Sequence, residues 1–138
     1  MNDNVNISIR SEYIGQDGSP MEQTCTGRYY VRDDTHYILY EYRDDSSPHV
    51  TKSRIRICDD VVHVKRRGDT ISDMTFDRGV GHISDYITGV GTMKLKVTSH
   101  TVDVDIKEDY IDIKLLYDLE LNDSFISKCK MDINVTSR

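Results

Sequence analysis

The segment Tyr110-Ile111-Asp112-Ile113-Lys114-Leu115-Leu116-Tyr117-Asp118-Leu119-Glu120-Leu121-Asn122 decides the fold. Its odd positions are apolar or aromatic from Ile111 to Leu121, and Asp112, Lys114, Asp118 and Glu120 fill the even ones, with Leu116 alone breaking the rule. Side chains of a strand point to opposite faces in turn, so this pattern predicts one long strand with a dry and a wet face. A helix would scatter the same charges around its circumference.

The same period extends outward in both directions. Val5, Ile7 and Ile9 alternate with polar residues, as do Met93, Leu95 and Val97 with Lys94 and Lys96. Val102, Val104 and Ile106 alternate with Asp103, Asp105 and Lys107, and Cys129, Met131, Ile133 and Val135 with Lys128, Lys130, Asp132 and Asn134. Between such runs lie turn signals at Asp17-Gly18, Asp33-Asp34, Asp44 to Pro48, Asp59-Asp60, Gly68-Asp69, Asp77 to Gly79, Thr88-Gly89, Ser99-His100, Glu108-Asp109 and Asn122-Asp123. Asp and Asn bond to nearby backbone and Gly accepts positive φ, which is why these clusters turn the chain. They cut it into about eleven short segments, none with a 3.6-residue apolar stripe.

The expected fold is therefore all-β, a single domain over residues 1–138. Short connections require antiparallel neighbours in an up-and-down meander. A sheet of 8–11 strands with one apolar face buries that face and loses its edges by closing into a barrel. A two-sheet sandwich is the alternative.

Composition bounds the function classes. The 138 residues are 37% hydrophobic, with 18 basic and 24 acidic side chains and a formal charge of −6. That charge argues against a general attraction to nucleic acid, and no apolar run approaches a membrane span. Nineteen of the acids are Asp and eleven of those fall in the turn signals, so the negative charge is mostly a by-product of folding back. The N-terminus lacks the apolar run of a secretory signal, and Cys25, Cys58 and Cys129 show no C-x-x-C spacing. A cytoplasmic protein with reduced thiols and no metal is the expectation.

Several segments, in order, carry a resemblance to a known family: Thr26-Gly27-Arg28-Tyr29-Tyr30-Val31, Tyr40-Glu41, Arg66-Arg67-Gly68, Phe76 with Gly79, Tyr86 with Gly91, and Tyr117-Asp118-Leu119. With these the chain resembles the YwiB family of bacterial proteins of unknown function, from about Val5 to Val135. The family tends to carry consecutive acids after the tyrosine of its third strand, where this chain has Tyr42 and Arg43 after Glu41. The resemblance implies a calycin-like barrel, and it implies no established activity and no cofactor.

Barrels of this size can hold one small ligand, so the chemistry rests on polar residues that project inward. Arg66 shares parity with Val62 and Val64, Asp85 lies between Ile83 and Ile87, and Tyr117 stands in the apolar row of the longest strand. Tyr86 joins them as a core tyrosine. Tyr40 shares parity with Ile38, with Tyr37 and Leu39 as a rival row. An inward Arg66 requires a carboxylate partner, for which Asp85 or Glu41 is available, or an anionic ligand. Arg66, Tyr40, Tyr86, Tyr117 and Asp85 are thus the candidate ligand-binding residues, and a small apolar or carboxylate-bearing molecule the candidate ligand. The competing expectation places Arg66 at the rim, snorkelling into water.

Catalysis has less support. His36, His49, His63, His82 and His100 fall one per segment without metal-ligand spacing, and no catalytic residue is assigned. His63 and His82 are expected on solvated faces. Lys52, Arg54, Arg56, Lys65, Arg66 and Arg67 form a basic stretch, expected to guard a strand edge, because the residues between them supply no aromatic for base stacking. A non-enzymatic ligand-binding barrel is the leading reading. An interaction or structural module, dimeric if a strand edge stays open, comes second, and a hydrolase or isomerase at the barrel mouth third.

Overall fold

The computed structural model describes residues 1–16, 18–43 and 48–138. Ten strands follow one another: β1 (Asn4–Ile14), β2 (Met21–Arg32), β3 (Thr35–Arg43), β4 (Val50–Cys58), β5 (Val61–Arg67), β6 (Ile71–Phe76), β7 (Gly81–Thr88), β8 (Gly91–Ile106), β9 (Tyr110–Leu121) and β10 (Ser124–Ser137). Each pairs antiparallel with its sequence neighbours, and β1 pairs with β10, closing the barrel. Val5 stands opposite Ser137 and Ile14 opposite Lys128, so the closing ladder runs the whole length of β1. Each strand thus has a neighbour on both sides, although β6 and β7 share a single ladder pair, Ile71 with Ile87. β4 and β5 are paired on both sides, so the expected edge-guarding role of the basic stretch falls away.

Three of the hairpins turn on two residues with positive φ. Asp33 and Asp34 have φ of 52° and 62°, Asp59 and Asp60 of 49° and 63°, and Asn122 and Asp123 of 49° and 68°. Two consecutive left-handed residues match the twist of the flanking strands, and Asp and Asn are the non-glycine residues that tolerate that region best. The signals at Asp17-Gly18 and at Asp44 to Pro48 lie partly outside the described residues.

One turn signal is corrected. Ser99-His100 does not reverse the chain; it lies inside the 16-residue β8. Ser99 stands opposite Tyr117 and Thr101 opposite Leu116, so His100 is the additional residue of a β-bulge. The bulge shifts parity by one. Leu95, Val97 and Ser99 face inward before it, and Val102 and Val104 after it. Two runs of opposite phase thereby serve one interior from one strand, which reads in sequence as two strands and a turn.

The interior is not filled evenly. Val5, Ile7, Ile38, Ile55, Val62, Phe76, Ile111, Ile113, Ile133 and Val135 are essentially inaccessible and pack the half nearest the Asp33 and Asp59 turns. There β-branched residues from all sides meet across the barrel. Gly27 sits where two walls approach closely, because an added Cβ would meet Ile7 Cδ1 at 2.7 Å and the Leu39 carbonyl more closely still. The outward rows carry the lysines, arginines and aspartates, the reverse of a lipid-facing barrel. Deleting His100 would put Val102 and Val104 on the wet face. It is expected to lower stability in urea by more than about 3 kcal/mol, against less than about 1 kcal/mol for His100→Ala, which loses a half-exposed contact to Asp118.

Candidate functional site

The other half of the interior is a cavity of about 430 Å³ that opens between the β1–β2 and β9–β10 connections. Arg66, Tyr86 and Tyr117, all expected from sequence, line it. Leu95, Met74 and Met131 supply apolar wall, and Tyr13, Met21, Tyr42 and Ile126 stand around the mouth.

Register explains how Arg66 comes to face in. Tyr40 is opposite Ser53, Ser53 opposite Arg66, and Arg66 opposite Ser72, so one inward row crosses β3 to β6. Arg66 lines the cavity and is half-buried, one residue from the end of β5. Among the described residues it makes no ion pair. Tyr40 takes the inward direction that the sequence left open, in the row of Ile38, and is 4% exposed. It lies outside the cavity wall, and its hydroxyl is buried without a hydrogen-bond partner among the described residues.

Asp85 is a correction. Ile83 and Ile87, read as an inward row, face out, and Asp85 between them pairs with Lys94 at 2.5 Å on the surface. The register of β7 against β8 settles the direction: His82, Ser84 and Tyr86 stand opposite Val97, Leu95 and Met93, and the strong inward row of β8 fixes its neighbour. His82, expected on a wet face, belongs to the inward row, and its Nε2 is buried without a hydrogen bond. The seam from β6 to β7 is the loosest in the barrel, with Ile71 and Ile87 as its single paired position and a Ser84 Oγ–H bond of 2.5 Å to the Asp73 carbonyl.

Tyr117 and Cys129 are directly opposite on β9 and β10, and the Cys129 thiol donates to the Ser127 carbonyl at 3.8 Å. Burial raises the Tyr117 phenol far above its ordinary range, Cys129 adds to the rise, and the nearby Arg66 guanidinium opposes it. Phe76 packs edge-on behind Tyr117, with ring centroids 4.9 Å apart. Burial also pushes the Cys129 thiol up to about 11, with the neighbouring Tyr117 pulling the other way. Cys129 is thus a neutral thiol at physiological pH, which makes it a poor nucleophile.

The histidines other than His82 have close partners elsewhere. His36 bonds Tyr29 at 2.7 Å, His49 contacts Asp69 at 2.5 Å, His100 contacts Asp118 at 3.0 Å, and His82 lies 3.9 Å from Asp77. His63 contacts Asp73 on the outer face, as its expected direction requires, and burial lowers its pKa against the pull of Asp73. Among the described residues no three metal-ligating side chains converge. Met74, Met131 and Cys129 were missed as wall residues, although their alternation marked them as inward. What no sequence signal gave is the depth at which the packed residues stop.

A family model described as a domain of unknown function (DUF1934) matches residues 6–133. The chain belongs to that family. Within it, the uncharacterised β-barrel protein YwiB of Bacillus subtilis (strain 168) is 27% identical over 121 residues, covering 86% of this chain and 83% of the relative. The crystal structure of the ywiB protein from Bacillus subtilis superposes with a TM-score of 0.79 at 22% identity, over 98% of this chain and 90% of that one. The family resemblance read from Thr26–Val31 onward is thereby confirmed, and so is the closed antiparallel barrel.

The state of Cys129 is directly measurable. Its thiolate fraction rises with pH only as about 11 is approached. At pH 8 its alkylation in the native protein is expected to be at least about 100-fold slower than that of an ordinary thiol. Mass spectrometry of partly labelled protein reads this, and rapid labelling of Cys129 at pH 8 contradicts it.

Proposed function

We propose that this member of the DUF1934 family is a binding protein for a small amphipathic anion, held in the half-open cavity with its charged head on Arg66. The observation that carries the reading is an arginine that lines a mixed polar and apolar cavity and makes no ion pair among the described residues, while the two carboxylates of the lining are turned to other bases, Glu22 paired with Arg10 and Glu12 opposite Lys130. A desolvated guanidinium without a counter-ion costs several kcal/mol, which an anionic ligand recovers through a planar pair of hydrogen bonds. Ser72 on the next strand and the Tyr86 hydroxyl add donors beside it, while Leu95, Met74 and Met131 accept an alkyl or aryl portion. A volume of about 430 Å³ lies within the ordinary range of ligand pockets. Three unpaired cysteines suit a reducing, cytoplasmic setting.

A second reading, docking of a protein partner at the mouth, is favoured by the exposed apolar rim. Met21 is 72% and Tyr13 52% exposed there. The protonated Cys129 and the engaged histidines favour binding over hydrolysis.

Titration calorimetry and thermal shift with medium-chain fatty acids and aryl carboxylates test the proposal. Binding to the intact protein and a loss of about 10- to 100-fold in Arg66→Met are expected, the range of a hydrogen-bonded charge. Arg66→Met alone is expected to be as stable as the parent or more so, because it removes a half-buried charge that has no ion-pair partner among the described residues. Equal affinity in both proteins, or no shift with any anion, would sink the reading.

A further inference from the structure

Charge on the outer wall is distributed in two different ways. On β1 and β7–β10 each strand lysine and arginine stands directly opposite a carboxylate, as with Arg10 and Glu22, Lys94 and Asp85, Lys96 and Glu120, and Lys130 and Glu12. On β4 and β5 bases face bases: Lys52 opposite Arg67, Arg54 opposite Lys65, and Arg56 opposite His63. Arg28 of β2 continues the middle row, across Leu39 of β3 to Arg54. Like charges in direct register weaken a sheet, so this arrangement works against folding. The one acidic counterpart in register, Asp105 opposite Asp112, lies on the far side.

Arg28, Lys52, Arg54, Arg56, Lys65 and Arg67 thus share one face with two carboxylates, Glu41 opposite Lys52 and Asp73 opposite Lys65. None of the six makes an ion pair among the described residues. Arg66, though adjacent in sequence, points the other way into the cavity, so this face is separate from the ligand site. In a chain of net charge −6 the basic charge is segregated, and the overall figure conceals it.

Aromatic rings missing from the basic stretch itself arrive from the neighbouring strands. Tyr30 of β2 and Tyr37 of β3 are opposite each other and stacked, with ring centroids 4.8 Å apart and planes 9° from parallel. Tyr37 is in turn opposite Arg56, and Tyr30 is 42% exposed. Alternate residues on a strand are spaced by about 6.8 Å, comparable with successive phosphates of an extended single strand.

We propose that the outer face of β2–β6 binds single-stranded nucleic acid, with phosphates on the rows of Arg54 and Arg56 and a base stacked on Tyr30. Cations in rows beside an exposed ring are the two components such binding uses. A duplex groove is instead read by a protruding helix or ribbon, and this smooth wall has neither. Partial burial, with Arg56 and Arg54 nearby, lowers the pKa of His63 against the pull of Asp73, so the face takes its charge mainly from arginines and lysines.

Fluorescence anisotropy with a short labelled RNA, the same sequence as DNA, and the duplex of each tests the proposal. Single strands are expected to bind best. The dependence of log affinity on log salt is expected to have a slope of about −2 to −3.5 if three to five phosphates are neutralised. Arg54→Gln with Lys65→Gln is expected to weaken binding at least ten-fold, to flatten the slope by about 1.4, and to leave the melting temperature unchanged or raised. Tyr30→Ala is expected to weaken binding of either oligonucleotide severalfold while leaving inorganic polyphosphate binding unchanged, which separates stacking from charge. No binding at low salt overturns the proposal. So do unchanged affinity in the double variant, tighter binding of duplex, polyglutamate binding as tightly as the oligonucleotide, or a double variant that melts earlier while still binding.

Discussion

The pairing of β1 with β10 is the constraint on which the rest depends. A linear meander of ten strands could relax its register at either end, whereas a closed ring cannot, because a slip in one ladder has to be absorbed by all the others. Every strand must then commit one row of side chains to a single shared interior. The bulge at His100 follows from this: β8 is long enough to serve both halves of the barrel, and an additional residue brings its two apolar runs into phase. The outward direction of Ile83 and Ile87 follows as well, since β7 takes its register from Leu95 and Val97.

Closure also divides the molecule into two chemistries. In the half where β-branched residues and Phe76 meet, the interior is packed and dry. In the half where their places are taken by Tyr, Met, Ser and a lone Arg, it stays hollow. Arg66 is tolerated there because the cavity opens at its mouth, leaving the guanidinium half-buried rather than sealed in. Outside, β4 and β5 are paired on both sides, so their charge is not needed to protect an edge and forms a concentrated cationic surface. The two proposed sites sit on opposite surfaces of the same strands: Arg66 faces in from β5 while Lys65 and Arg67 face out.

Much of this was legible from alternation alone. The rows of β1, β9 and β10, the inward Arg66 and Tyr117, and the two-residue turns at Asp33, Asp59 and Asn122 all appear as read, because each rests on a local period or a local backbone preference. Reading failed where the decisive partner lay on another strand. Asp85 looked inward because its own neighbours are isoleucines, and His82 looked outward because its own neighbours are polar; β8 overruled both. Tyr40 had two possible rows, and the approach of β2 through Gly27 and of β4 through Ser53 determined which was buried. The basic stretch looked bare of aromatics because its tyrosines come from β2 and β3.

The sequence by itself determined the strand period, the positions of most reversals, the antiparallel order and the family, since each is written in side-chain alternation, turn residues or their spacing along one chain. Only the tertiary structure decided that the ring closes, which face of the ambiguous strands turns in, where packing ends and a cavity begins, and that cations spread over β2, β4 and β5 form one surface. Those properties depend on residues brought opposite one another across ladders. A one-dimensional pattern holds each partner but not the register that joins them.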